Sequence, residues 1–301
     1  MTQRTPRRAR TAVTALAGAL ALTAISFVSP TSAQAATKFI VVQHNVEKNG
    51  AAITHALAKA HSLGAQAVTL QEVCASDVPL IQSYAASVGQ TWSVHAQQSR
   101  TAGCGARGDV MTVAVRTAAG ADNVVRSLSQ DESVNDDGSL HTRQQELVCV
   151  RWTDTSVRTV CSVHVALGKA YVVGNPSLNA RKTQIKEIKD ITATFIGNGQ
   201  LVVVGGDFNA VPKDPVLNRM YARGVDEDGN SPNGKFFEAA QLEGQTSNRG
   251  GNATDQSGKR KIDHVFFSNN KTPWTQSGAA FNALDSPSDH QLVVAKATVQ
   301  G

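Results

Sequence analysis

Aromatic residues are scarce: nine Phe, three Trp and three Tyr make up only 5% of the 301 residues. Such a chain has little with which to build the exposed aromatic loops that dock proteins on membranes. No C-x-x-C pair occurs, which argues against a zinc knuckle. No internal repeat or low-complexity linker divides the chain, so one domain is expected from about Thr37 to Gly301. What is present, 41% hydrophobic against 18% charged residues, suffices for a sizeable core. It excludes a wholly disordered or fibrous protein.

Acidic residues are missing from the first 35 positions. Arg4, Arg7, Arg8 and Arg10 are followed by an apolar run from Ala12 to about Val28, then by small residues up to Ala33-Gln34-Ala35. A basic start, an apolar stretch and an A-x-A site read as a secretory signal peptide, residues 1–35, with a membrane anchor as the alternative. The Arg7-Arg8 pair leaves the export route open. The whole chain carries a formal charge of +5; removing four of its 29 Lys and Arg and none of its 24 Asp and Glu leaves +1. The mature protein then has no global field to draw in a polyanion, and any attraction for phosphate is local.

Cys74, Cys104, Cys149 and Cys161 remain after cleavage. In an exported chain an even count points to disulfides, with three connectivities open and buried free thiols as the alternative. Cys149 and Cys161 lie on strand-like runs, 145–152 and 157–165, around the turn-like Thr153-Asp154-Thr155-Ser156. A Cys149–Cys161 bridge across that hairpin is expected, leaving Cys74–Cys104.

Further strand-like runs fall at 38–45, 67–70, 92–96, 110–116, 201–205, 262–268 and 291–297. Ile53, Leu57, Ala60 and Leu63 recur at helical spacing, as do Ile185, Ile188, Phe195 and Ile196 after Arg181. Many strands and few helices fit two packed sheets with helices outside. Residues 221–260, rich in Gly, Asn, Ser and Asp, read as long surface loops.

Polar residues gather where these runs end. Asn45 and Glu47 follow one apolar run and Gln71-Glu72 closes another. Gly205-Gly206-Asp207-Phe208-Asn209 ends a third, with Asp207 and Asn209 on one face of an extended segment. Asp263-His264 and Asp289-His290 stand at the mouths of further strands, and His164 lies within Ser162-Val163-His164-Val165. Singly these have bland readings: an Asx turn, a core histidine, a helix cap. Together they occur at apolar-strand boundaries along one domain. Carboxylates bind a hard cation such as Mg²⁺, which bridges to phosphate oxygens and offsets their charge. An Asp orients and deprotonates water, while imidazoles and an amide donate to phosphate oxygens. The set suits hydrolysis of a phosphate ester.

These segments resemble the endonuclease/exonuclease/phosphatase superfamily. The matching residues are Asn45-Val46-Glu47, Leu70-Gln71-Glu72, Ser162-Val163-His164, Gly206-Asp207-Phe208-Asn209, Ile262-Asp263-His264 and Ser288-Asp289-His290. They span almost the whole mature chain. The resemblance implies an α+β fold over residues 36–301, a four-layer αββα sandwich of two mainly antiparallel sheets with outer helices. It also implies Glu72 as the main metal ligand, Asn45 beside it, Glu47 completing the site and Asp289 as a further metal-side carboxylate. Asp207 is similar to the residue that positions or activates water, and Asn209 to a phosphate-binding amide. His290, oriented by Asp263, resembles the imidazole that contacts phosphate in the transition state. His164 matches the second active-site histidine. His264 stands where many members carry Tyr and is left outside the catalytic set.

The expected function is an exported, Mg²⁺-dependent phosphodiesterase that cuts nucleic acid, with Mn²⁺ or Ca²⁺ open as alternatives. A monomer without stable membrane association is expected once the leader is gone. A phospholipase C or small-molecule phosphatase on the same fold ranks lower, since Trp274 and Phe281 are the only aromatic hints near the C-terminus. A non-catalytic binding module would be expected to have lost acids or histidines, and none of those named is missing. Asp226-Glu227-Asp228-Gly229-Asn230 starts like a calcium loop, but Ser231 stands where Gly is needed and Glu238 falls one position late. A plain acidic loop is expected. Lys259-Arg260-Lys261 and Arg181-Lys182 read as solvated charge, with contact to substrate phosphates as the alternative. Asn252-Ala253-Thr254 matches a glycosylation pattern.

Overall fold

In the computed structural model, which describes residues 36–100, 104, 108–117, 120–134, 138–225, 231–239, 249–272, 281–284 and 286–301, strand β1 (Thr37–Asn45) is buried on both faces. The expected leader, the acidic stretch 226–230 and Trp274 lie outside those residues, as does the side chain of Phe281. Phe39 and Val41 of β1 join one apolar cluster and Val42 another. Burial on both sides is why the run reads as continuously apolar.

The chain continues through α1 (Gly50–Leu63), β2 (Ala67–Cys74), α2 (Val78–Ser87), β3 (Trp92–Arg100) and β4 (Asp109–Arg116). Next come β5 (Ala121–Ser127), β6 (Asp131–Val134), β7 (Leu140–Arg143), β8 (Glu146–Thr153) and β9 (Val157–His164). Then follow β10 (Tyr171–Val172), β11 (Asn175–Asn179), α3 (Ala180–Gly197) and β12 (Leu201–Asp207). The last strands are β13 (Phe236–Glu238), β14 (Asp263–Ser268), β15 (Phe281–Leu284) and β16 (Leu292–Val299).

One six-stranded sheet has the order β15-β16-β1-β2-β4-β3 and the other β13-β14-β12-β9-β8-β5. Each is antiparallel except at one pair: β1 with β2, and β9 with β12. Val41, Met111 and Val113 of the first sheet meet Val148, Val160 and Val203 of the second. The outer face of the first packs Val42 and Val68 against Ile53 and Leu57 of α1 and Ile81 of α2. That of the second packs Val202 and Val204 against Ile185 and Ile188 of α3. Four layers, αββα, result as expected.

Local signals set the helix ends. The Asn49 side chain accepts from Ala51 N at 2.9 Å to start α1, and Gly64 at φ 64° ends it. Two glycines let the strands of the core approach. A Cβ on Gly205 would collide with the Thr69 hydroxyl of the opposite sheet, and one on Gly206 with the Val163 carbonyl of β9.

A small sheet of order β11-β10-β6-β7 lies beside the start of α3, joined through Ala166, Ala170, Val172 and Ala180. Its strands and β5 were not expected, because they are short, polar and largely exposed. Residues 221–260 are not simply surface loops: Tyr221, Phe236, Glu238 and Arg249 are all buried. Lys261, read as solvated, is buried against Glu238. Disulfides join Cys149 to Cys161, directly opposite each other in β8 and β9, and Cys74 to Cys104. Among the described residues no helix is long and apolar enough to cross a membrane.

Candidate active site

The two parallel pairs bring the polar strand ends to one place. Asn45 ends β1 opposite Gln71 of β2, and Glu72 follows. Asp207 ends β12 opposite His164, the last residue of β9, and Asp263, the first of β14, pairs with Asp207 on its other side. His290 enters from the segment ahead of β16.

The Asn45 side-chain nitrogen lies 3.4 Å from Glu72 Oε1, 3.3 Å from Asp207 Oδ2 and 3.5 Å from His290 Nε2. His164 stands between the two carboxylates, its Nε2 3.5 Å from Asp207 Oδ2 and its Nδ1 3.8 Å from Glu72 Oε1. His290 Nδ1 is 2.8 Å from Asp263 Oδ2, and its Nε2 faces Asp207 Oδ2 at 3.7 Å and Asp289 Oδ1 at 3.9 Å. The residues of the expected catalytic and metal-binding set therefore fall in one cluster or on its rim. Glu47 is on the rim, exposed, its carboxylate accepting from Asp289 N at 3.0 Å. Asn209 spends its amide on Val165 O at 2.9 Å while its own N–H caps Asp207 Oδ1 at 2.8 Å. His264 stays out, held between Glu238 and Ala210 O at 2.8 Å each.

Among the described residues, the non-glycine positions with positive φ are Glu47, Lys48, Glu72 and Asn209, at 48°, 60°, 54° and 48°. All four belong to this edge. Each costs on the order of 1 kcal/mol or more and persists only where its surroundings hold it. Lys48 N donates to Glu72 O at 2.9 Å, and Arg181 donates to Asn209 O while gripping Asp214 at 2.8 Å. The left-handed conformation of Glu72 falls inside β2, where the register against β4 shifts between Leu70 and Val73, and there its carboxylate meets the cluster.

Burial and neighbouring charge sort the titrating groups. Burial alone lowers the His290 imidazole, but Asp263, then Asp207 and Asp289, outweigh it and raise it to about 10. Burial and the Asp263 charge raise the Asp207 carboxyl, against the pull of His164 and His290. Burial also acts to raise Asp263, yet its contact with His290 holds it low. The edge thus presents a cationic imidazole facing a carboxylate of raised proton affinity, which suits an acid and a base.

Residues the sequence reading passed over hold this set in place. Gln43 Nε2 donates to Gln71 Oε1 at 2.7 Å and to Asp263 Oδ1 at 3.1 Å, and Gln71 donates to Ser162 Oγ at 2.9 Å. Thr254 Oγ1 accepts from Asp263 N at 3.0 Å, and Asp255 bridges to His290. Lys48 Nζ pairs with Glu72 Oε2 at 2.9 Å. The available signal was a glutamine directly after the apolar run 39–42 of a buried strand.

The Glu72 and Asp207 carboxylates face the Asn45 side-chain nitrogen and the Asp289 carboxylate lies by His290, an oxygen-rich, net negative set compensated by Lys48 and the His290 cation. Oxygen donors of this kind fit a hard divalent cation. Asp207, Asp263 and His290 also place ligand atoms within 4.8 Å of one another. There the imidazole is committed to Asp263 and protonated, so this trio works better as a proton relay than as a cage.

A model of the Endonuclease/Exonuclease/phosphatase family matches residues 42–290. Comparison with curated proteins finds no match. Among solved structures, the human nocturnin catalytic domain with bound sulfate superposes at a TM-score of 0.61 and 13% identity, over 89% of this chain and 96% of that one. An endonuclease/exonuclease/phosphatase from Bacteroides vulgatus gives 0.57 and 11%, over 88% and 100%. A family protein from Bacteroides thetaiotaomicron gives 0.53 and 13%, over 88% and 98%. At these identities the likeness is one of fold.

Proposed function

The chain belongs to the endonuclease/exonuclease/phosphatase family of phosphoester-hydrolysing enzymes, and on that premise we propose that it is an exported, metal-dependent phosphodiesterase that cuts nucleic acid. One observation carries the reading: Asn45, Glu72, His164, Asp207, Asp263 and His290, drawn from both sheets, converge around a single space. Glu72 and Asn45 would hold the divalent ion, with Asp289 at its margin. When bound, Mg²⁺ offsets the charge that builds on the phosphoryl oxygens.

The chain's own residues do the rest. Asp207, capped on one oxygen by Asn209 N and raised in proton affinity, orients a water and takes its proton. His290, charged and aimed by Asp263, donates to a phosphoryl oxygen as negative charge grows there. His164, between Glu72 and Asp207, supports a second oxygen or the leaving group. Asn209 keeps its remaining amide hydrogen for phosphate. All of these groups come from one chain, which supports a monomer as the working unit. Export is supported by the basic and apolar leader and by two disulfides, which persist in oxidising compartments.

The test is to incubate the purified protein with plasmid DNA, with sphingomyelin and with a phosphomonoester, each with and without EDTA. Nicking that EDTA abolishes is the expected result. Release of choline phosphate with no nicking would replace nucleic acid by lipid as the substrate, and no turnover of any of the three would overturn the enzymatic reading.

A further inference from the structure

A groove of about 690 Å³ is lined by the loop that follows His164 and by Arg260, three positions ahead of Asp263. One wall is the loop after His164. Val165 O receives the Asn209 amide at 2.9 Å, and Leu167, Lys169 and Tyr171 follow along the groove. Another wall holds Arg260, whose side chain grips Asp255 at 2.7 Å, and the backbone of Asp255 pairs with that of His290. The small sheet closes the third side with Val134 at the end of β6 and Arg143 at the end of β7. The groove thus adjoins the cluster through the chain at His164 on one side and at Asp263 on the other.

The chemistry of the groove is specific. Among the described residues that line it are three cationic side chains, Arg143, Lys169 and Arg260, and no carboxylate. With the leader removed the chain is nearly neutral, so this is a local accumulation rather than one part of a general field. Between the cations stand the aliphatic Val134, 60% exposed, and Leu167, 46% exposed, and the phenol ring of Tyr171. Cations interleaved with apolar faces match a polynucleotide strand, which offers a phosphate at every residue and an apolar base face beside it. A headgroup or sugar phosphate would end at the reacting centre and leave the groove unused.

From this we infer that the groove is a strand-binding subsite that takes the phosphates flanking the scissile one, with Lys169 as a principal contact. The inference rests on the nucleic-acid reading of the site and adds to it a preference for long substrates over short diesters. Each phosphate contact made in the groove also adds to the salt dependence of binding.

The test separates binding from cleavage. Anisotropy of a fluorescein-labelled single-stranded 12-mer, measured in EDTA so that nothing is cut, compares the purified protein with Lys169→Glu and Lys169→Arg. Lys169→Glu is expected to weaken binding by at least ~10-fold and to reduce the log–log salt slope by about 1, with Lys169→Arg close to the parent. In the presence of Mg²⁺, Lys169→Glu should lower the ratio of 12-mer cleavage to bis(p-nitrophenyl) phosphate hydrolysis by a similar factor. Equal 12-mer affinity in parent and Lys169→Glu would overturn the subsite, even if both cut DNA. Weakened binding without any cleavage by the parent would keep the subsite and overturn the catalytic reading instead. Lys169-dependent sedimentation with phosphatidylcholine/phosphatidylglycerol vesicles, with no 12-mer binding, would assign the groove to a lipid surface and overturn the proposal.

Discussion

Gln43 and Asp263 are separated by 220 positions in the chain and by 3.1 Å in the fold, amide nitrogen to carboxylate oxygen. Asp263 in turn holds His290 at 2.8 Å, so an amide on β1 in one sheet steadies an imidazole through a carboxylate in the other. Gln43→Leu leaves a buried carboxylate oxygen without its donor, a loss of about 1–3 kcal/mol in stability. It should also lower kcat by about tenfold, the equivalent of roughly 1.4 kcal/mol in the barrier, with KM little changed. Thermal melts and steady-state kinetics on one variant check both numbers; an unchanged kcat would mean that Asp263 needs no steadying from the opposite sheet.

Asp207→Ala and His290→Ala remove the base and the acid assigned above. Each should cut the turnover of any phosphodiester by at least ~10²-fold while circular dichroism stays that of the parent. Near-normal rates in either variant would refute the roles given to them.

Glu72 and Glu47 should separate when the metal is titrated. Glu72 faces the cluster beside Asn45, whereas the exposed Glu47 is bonded to the backbone of Asp289. Glu72→Gln is expected to raise the Mg²⁺ concentration for half-maximal activity by at least ~10-fold, in the range seen when groups that tune a metal site are altered. Glu47→Gln should do distinctly less. The reverse order, read from activity against free Mg²⁺, would move the ion towards the rim.

Stability should fall in acid through a group outside the catalytic set. Burial acts to raise the Glu238 carboxyl, but Lys261 and then His264 outweigh it and bring it down to about 2 from an ordinary value of 4.5. A carboxyl depressed on folding contributes stability that is fully present above about pH 4.5 and is lost as pH falls towards 2. Denaturant midpoints between pH 6 and 2 should show that loss. Glu238→Gln should flatten this part of the profile and cost roughly 3–5 kcal/mol at neutral pH, because the buried Lys261 ammonium loses its countercharge. A variant as stable as the parent would show that Lys261 finds other compensation.

Removing both members of a cystine tests the contribution of each bridge. The 12-residue separation of Cys149 and Cys161 and the 30 of Cys74 and Cys104 correspond, by loop entropy, to about 3 and about 4 kcal/mol. Double alanine variants, compared by denaturant midpoint, should rank in that order unless cavity effects at the fully buried 149–161 pair reverse it. A change below ~0.5 kcal/mol in both would remove the disulfides from the account of stability.

The parts of this molecule that were legible in its sequence are those where burial and function leave local marks. Apolar runs that end in Asp207, Glu72 or Asn45 announced both the strands and the edge they share, since a strand buried on two faces reads as a nearly continuous apolar run. The hairpin holding Cys149 and Cys161 was equally plain. Illegible were the features decided by distant partners. Lys261 sits in a basic run that reads as solvent-facing, and its burial is made tolerable by the Glu238 carboxylate at the end of β13 and by the Gly250 carbonyl. β13 lay hidden among Gly and Asn for the same reason: its Phe236 and Phe237 are placed by β14 and not by any periodicity of their own. Gln43 escaped notice because a single amide in a strand says nothing of what lies across the sandwich. α2 begins at Val78-Pro79, where a proline suggests a turn before its fit to the first turn of a helix becomes evident.

The arrangement of the two parallel strand pairs has a consequence for the chain before it is folded. β1 with β2 supplies Asn45 and Glu72, β9 with β12 supplies His164 and Asp207, and Asp263 and His290 come from β14 and the segment ahead of β16. Synthesis delivers these groups in succession, and they meet only when the sandwich closes. A nascent polypeptide of this design therefore lacks the assembled cluster until its tertiary structure is complete.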